Sequence, residues 1–124
     1  MESGTVEVQG VQEDPVFARV GSRFHVHTGH TDLVESVPDG CRLLASTGRV
    51  PVQALRMDTA PWWTAQFHPD LTHDEAAERY RAFARALESE GGQARPGPSY
   101  EARGDQASTL LGAWFDEVFT EPKP

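Results

Sequence analysis

Two hydrophobic periods divide this chain. Up to about residue 70, apolar and polar residues alternate in short runs; beyond it, apolar residues recur at helical spacing. Thr5-Val6-Glu7-Val8 alternates. So does Phe24-His25-Val26-His27-Thr28, which places Phe24 and Val26 on one face of a strand and the two histidines on the other, solvent-facing side. Pro38-Asp39-Gly40 is a turn signal, Leu43-Leu44-Ala45-Ser46 reads as the next strand, and Gly48 breaks it. Val50 to Met57 reads as a further strand, and Asp58-Thr59-Ala60-Pro61 turns the chain into a last one, Trp62 to Phe67. Short strands joined by tight turns predict antiparallel neighbours.

The helical part opens at Thr72, a good N-cap, with Glu75 completing a capping box. Ala76, Tyr80, Phe83, Ala84 and Leu87 then form one apolar stripe, and Gly91-Gly92 ends the helix, giving a span of 72–90. Residues 91–104 are rich in Gly and Pro and read as a flexible loop. Leu111, Trp114, Phe115 and Val118 mark a second helix over 105–119, capped by Asp105. Strands over 1–70 followed by two late helices give an α/β or α+β arrangement in one domain. Helices that come only late predict a sheet with an uncovered face or edge, an association hazard.

Composition narrows the function classes. The 124 residues suffice for one domain, and the formal net charge of −8 with only 11 scattered Lys and Arg excludes a duplex-binding surface, so nucleic acid is not an expected partner. A single cysteine, Cys41, rules out an internal disulfide and suits a reducing compartment. No leader pattern and no bilayer-length apolar run occur, so the expectation is a soluble, cytoplasmic protein away from membranes.

The last strand ends in Gln66-Phe67-His68-Pro69-Asp70. In an extended segment His68 and Asp70 point to the same side, and Pro69 keeps a helix from starting early. A carboxylate beside an imidazole fixes its tautomer and stabilises its cation, which supplies two members of a nucleophile–base–orienter triad.

Residues Phe24 to Asp70 resemble the C-terminal half of a class I glutamine amidotransferase domain. The resemblance rests on His30-Thr31-Asp32-Leu33-Val34, Val37-Pro38-Asp39-Gly40, Leu44-Ala45-Ser46, Val52-Gln53-Ala54 and Gln66-Phe67-His68-Pro69-Asp70, in that order. Gly4 to Val8 and Asp14-Pro15-Val16-Phe17 resemble the stretch before them, so it covers nearly all of 4–87. It implies a partial flavodoxin-like α/β fold: a strand-rich half-sheet with two C-terminal helices, truncated at its N-terminal side. It implies glutamine as substrate, with a cysteine thiolate attacking the side-chain amide, His68 shuttling the proton and Asp70, where glutamate is usual, orienting it. No cofactor is implied.

The family's Gly-x-Cys-x-Gly nucleophile pattern does not occur here. Triad members act as a unit, so the chain alone is expected to be inactive, either as a remnant or as a half-domain completed by a partner that brings the nucleophile. A synthetase is the other implied partner, and related γ-glutamyl hydrolases share the scaffold. Cys41 follows a turn and opens an apolar strand; a nucleophile needs a lowered pKa and a neighbouring base, and the expected role is a small, buried thiol.

Two further classes compete. His25, His27 and His30 form His-x-His-x-x-His, a spacing that also suits a small metal-binding protein, although solvent-side histidines on an amphipathic strand are the favoured reading. A noncatalytic interaction module on the same scaffold is the other. Of the aromatic pairs, one of Trp62 and Trp63 packs inward, and Trp114 with Phe115 docks the last helix onto the sheet.

Overall fold

The computed structural model describes residues 2–89, 91 and 99–119. Five strands form one antiparallel sheet: β1 (Glu2–Gly10), β2 (Arg23–His30), β3 (Cys41–Ser46), β4 (Ala54–Met57) and β5 (Trp63–Ala65), in the order β2-β1-β3-β4-β5. Helix α1 (His73–Ser89) follows, then a 3-10 segment (Ala102–Ser108) that runs into α2 (Thr109–Phe119). The second helical element thus begins before Asp105, and most of the loop expected over 91–104 lies outside the described residues.

β1 is longer than its alternating stretch because it pairs with β2 along nearly its whole length, from Glu2↔His30 to Gln9↔Arg23. It meets β3 only at its end, through Gln9↔Ser46 and Gly10↔Ala45. Val50 to Gln53 are not strand. Pro51 has no N–H for a ladder, and Thr47 folds the chain into a local turn, its Oγ1 accepting from Val50 N at 3.0 Å while Thr47 N donates to Val50 O at 3.0 Å. β4 then pairs with β3 from Ala54↔Ala45 to Met57↔Cys41, with a bulge between Leu43 and Ala45. The last strand is likewise cut to Trp63–Ala65; the chain then leaves the ladder, with Gln66 N donating to Gln53 O at 2.8 Å.

The core joins the sheet to the C-terminal segment. Val8, Phe24, Val26, Leu44 and Phe67 pack with Ala107, Leu110 and Ala113, and Phe24 meets Phe17 and Phe67 at ring-centroid distances of 6.0 Å each. Ala107, Leu110 and Ala113 of the C-terminal segment thus complete the core beside these strands. The buried stripe of α2 is Leu110 and Ala113 with Trp114 beside them, one residue out of step with the pattern read from the sequence; Leu111 and Phe115 are exposed. Small alanines carry little hydrophobic signal but let a helix approach closely. In α1 only Ala76 is buried, and Phe83 and Leu87 stay exposed, because the helix meets the body through its first turns.

A buried carboxylate ties the sheet's far end together. Asp14 Oδ2 accepts from Val16 N (3.0 Å) and Phe17 N (3.2 Å), while Oδ1 accepts from Arg56 Nη1 (3.0 Å). Trp63 Nε1 donates to the same carboxylate at 3.1 Å, and the Arg56 guanidinium lies 4.6 Å from the Trp63 ring centre. Trp63 is thus the inward member of its pair, and Trp62 is exposed.

Candidate functional site

His68 and Asp70 meet. Their segment is a turn, not an extended strand end, yet Nδ1 of His68 lies 3.2 Å from Asp70 Oδ1. The chain turns at Pro69-Asp70 into Thr72, where the expected capping box forms: Thr72 N donates to Glu75 Oε1 (3.1 Å) and Glu75 N to Thr72 Oγ1 (3.3 Å). With Asp70 at Nδ1, Nε2 is the ring nitrogen open to a further partner. Both side chains are partly open to solvent.

His68 borders a cavity of about 370 Å³ between the end of β2 and α1. His30 and Arg79 give it polar character, and Tyr80, Phe83 and Tyr100 give it aromatic walls. The Tyr100 hydroxyl donates to Thr28 O at 2.9 Å, and burial pushes its pKa above the ordinary 10.0. Cys41 is not part of this cavity. It opens β3 opposite Met57 and is half-buried, more open than the buried thiol expected there, because it sits at the strand's first position beside the turn.

The three N-terminal histidines do not converge. His25 faces Glu7 at 3.7 Å. His30 has both nitrogens taken, Nε2 by Glu2 Oε1 (3.1 Å) and Nδ1 by Asp32 O (2.8 Å). Among the described residues no group of three His, Cys, Asp or Glu side chains is arranged to hold a metal ion.

His27 departs most from its reading as a solvent-side residue: it is wholly buried. Its ring lies between Thr5 Oγ1 (3.0 Å from Nδ1) and Asp105 Oδ1 (2.7 Å from Nε2). The ionised Asp105 carboxylate can only accept, so Nε2 carries a proton and donates to it, while Thr5 Oγ1, which accepts from Glu101 N at 2.8 Å, stands at Nδ1. A hydroxyl, an imidazole and a carboxylate in line have the composition of a catalytic triad. With the ring at zero exposure and the hydroxyl already engaged, this one is a structural clamp.

Asp105 does not cap its own helix. It accepts from His73 N at 2.7 Å, the first N–H of α1, and His73 Nδ1 stands 3.3 Å away. Burial would raise the Asp105 pKa, but the hydrogen bonds from His27 and His73 outweigh it and hold it below the ordinary 3.8.

The pattern of the family described as "Glutamine amidotransferase class-I" matches residues 1–85. The chain belongs to the class I glutamine amidotransferase family. Among curated relatives, one of the subunits of the glutamine-hydrolyzing GMP synthase of Thermococcus kodakarensis is 34% identical over 84 residues, covering 67% of this chain and 45% of that protein. The glutamine-hydrolyzing GMP synthase of Xanthomonas axonopodis pv. citri is 39% identical over 77 residues, 58% of this chain and 15% of that protein. The chain thus spans less than half the length of these relatives.

The family's fold is also seen in solved structures. A glutamine amidotransferase from Thermotoga maritima superposes with a TM-score of 0.70 at 16% identity, over 97% of this chain and 51% of that one. A glutamine amido transferase from Methylobacillus flagellatus gives 0.63 at 15% identity, over 98% and 55%. The fold is therefore a partial flavodoxin-like amidotransferase fold, a strand-rich half-sheet with two C-terminal helices. Among the described residues no helix is long and apolar enough to cross a membrane.

Proposed function

We propose that this chain supplies the proton-transfer side of glutamine side-chain amide hydrolysis, with the nucleophilic cysteine coming from outside residues 1–124. The observation that carries the proposal is the 3.2 Å contact between His68 Nδ1 and Asp70 Oδ1 at the edge of a substrate-sized cavity. Asp70 accepts a hydrogen bond from Nδ1–H, which leaves Nε2 to accept the proton of an incoming thiol. The thiolate attacks the amide carbon. As the C–N bond breaks, His68 returns its proton to the departing ammonia, and a thioester remains. Water, deprotonated by the same imidazole, then attacks the thioester; glutamate leaves and the thiol is regenerated.

The ammonia would pass to a synthetase, the class of partner suggested by the names of its relatives, which are subunits of glutamine-hydrolyzing GMP synthases. The single half-buried cysteine fits a reducing, cytoplasmic setting. By itself the chain is expected to release no ammonia.

The test is reconstitution. The chain is co-expressed with the Gly-x-Cys-x-Gly polypeptide encoded nearest to it, and ammonia release from glutamine is measured. Activity that needs both polypeptides, and that falls by about 100-fold or more with His68→Ala, is the expected result. Equal rates with and without the His68 imidazole would end the proposal. A stable complex without activity would favour a noncatalytic module.

A further inference from the structure

We propose that Asp105 is a positioning residue for His68, acting through His27. The inference rests on the reading of His68 as the acid–base residue. The starting point is the register of the first two strands. Thr5 and His27 stand directly opposite each other. The N–H of Thr5 goes outward to Ser99 O (2.9 Å), and the carbonyl of His27 goes outward to His68 N (2.9 Å). These are the marks of a non-hydrogen-bonded antiparallel pair, whose side chains lie closest together and whose backbone groups serve neighbours on either side. The backbone of His68 thus hangs on the carbonyl of a residue whose side chain Asp105 grips.

That grip leaves His27 little freedom. Both ring nitrogens are bonded, no part of the residue reaches solvent, and Gly104 lies against the ring. The direction of its carbonyl is fixed accordingly. Asp105 Oδ1 also accepts the N–H of His73. The turn that carries Pro69 and Asp70 is therefore anchored at both ends, at His68 through His27 and at His73 directly, and both anchors lead to one carboxylate. The distance between His68 and Asp70 depends on the two ends of that turn. Asp105 touches neither the cavity nor, in the proposed reaction, any reacting atom.

The competing view is that Asp105 merely fastens the C-terminal segment to the strand pair. NMR on the full chain labelled with 15N separates the two. In Asp105→Asn the amide of His68 should exchange roughly tenfold or more faster, while the amides of Val8, Val26 and Leu44 stay within about twofold. The 15N shifts of the His68 ring should move toward a tautomer mixture as its contact with Asp70 loosens. Asp105→Glu, which keeps the carboxylate, should restore part of both signals.

An unchanged His68 amide and ring, with faster exchange confined to Glu101–Ser108, would overturn the inference. So would a uniform acceleration of all core amides. If Asp105→Asn does not fold, the wild-type chain is titrated with acid. The protection factor of His68, corrected for intrinsic exchange, must then fall in step with protonation of the Asp105 carboxyl followed by 13C, and a flat profile refutes the idea. None of these readouts involves glutamine or a nucleophile. A His68 idle in catalysis would leave them standing, and their failure would leave the reconstitution result untouched.

Discussion

Gly104 lies so close to the His27 imidazole that a Cβ on it would stand 2.3 Å from Cε1 and 2.6 Å from Nδ1. No real contact is that short, and the ring cannot retreat, since Thr5 and Asp105 hold it on both sides. Glycine is required here for space. Gly104→Ala is expected to destabilise the fold by about 1–3 kcal/mol, read from urea midpoints. In a double-mutant cycle His27→Ala, which removes the ring, should cancel much of that cost. Full additivity would show that the clash is relieved elsewhere.

Asp14 is the buried charge of the opposite end, and two backbone N–H groups, Arg56 and Trp63 all depend on it. Asp14→Ala leaves two buried backbone N–H groups and the half-buried Arg56 guanidinium without their shared acceptor. The expected cost is about 2–4 kcal/mol in chemical denaturation, with Asp14→Asn costing less because it keeps an acceptor. Double replacement of Asp14 and Arg56 by apolar residues should cost less than Asp14→Ala alone.

Thr72 tests the start of α1. Its hydroxyl accepts from Glu75 N, and Glu75 answers at Thr72 N. Thr72→Ala is expected to lose about 1 kcal/mol, seen as a lower urea midpoint with an unchanged slope. An effect much larger than this would mean that the turn holding His68 and Asp70 collapses with the cap.

Asp105 predicts a pH dependence. Its folded pKa is depressed below the ordinary 3.8: burial acts against the charge, and the hydrogen bonds from His27 and His73 more than offset it. The ionised form is therefore favoured by folding. That contribution is present in full above the ordinary value and is lost as pH falls from near 4 through the folded value. Urea midpoints measured down this range should drop more steeply for the wild type than for Asp105→Asn. Parallel curves would mean that other carboxylates govern acid unfolding.

What the sequence made legible was local. The capping box needs only residues 72 to 75, and the meeting of His68 with Asp70 only three consecutive positions, so both could be read without knowing the fold. The role of His27 could not. The carboxylate that engages it lies 78 residues away, and strict alternation on β2 assigns the ring to solvent because the pattern says nothing of a later segment laid over that side. Asp105 resembled a helix cap and is one, but for α1 instead of α2. The apolar stripe of α2 was misplaced by one residue for a related reason. Leu111 and Phe115 look more hydrophobic than Ala113, yet the small side chain is the one that fits the crowded interface. Val50 to Gln53 read as strand from their valines, whereas Pro51 and the Thr47 turn decide otherwise.

Ser99 and Glu101 bind the outer side of Thr5, beyond residue 85, where the family's pattern stops matching. These contacts constrain how such a chain can evolve. A lineage that discarded or rewrote its tail would strip an amide, a hydroxyl and an imidazole of their partners in a single step, and would uncover the inner side of the sheet as well. Substitutions at positions 5, 27, 104 and 105 are thus expected to be coupled. A descendant with a different residue at any one of them should carry a compensating exchange at another.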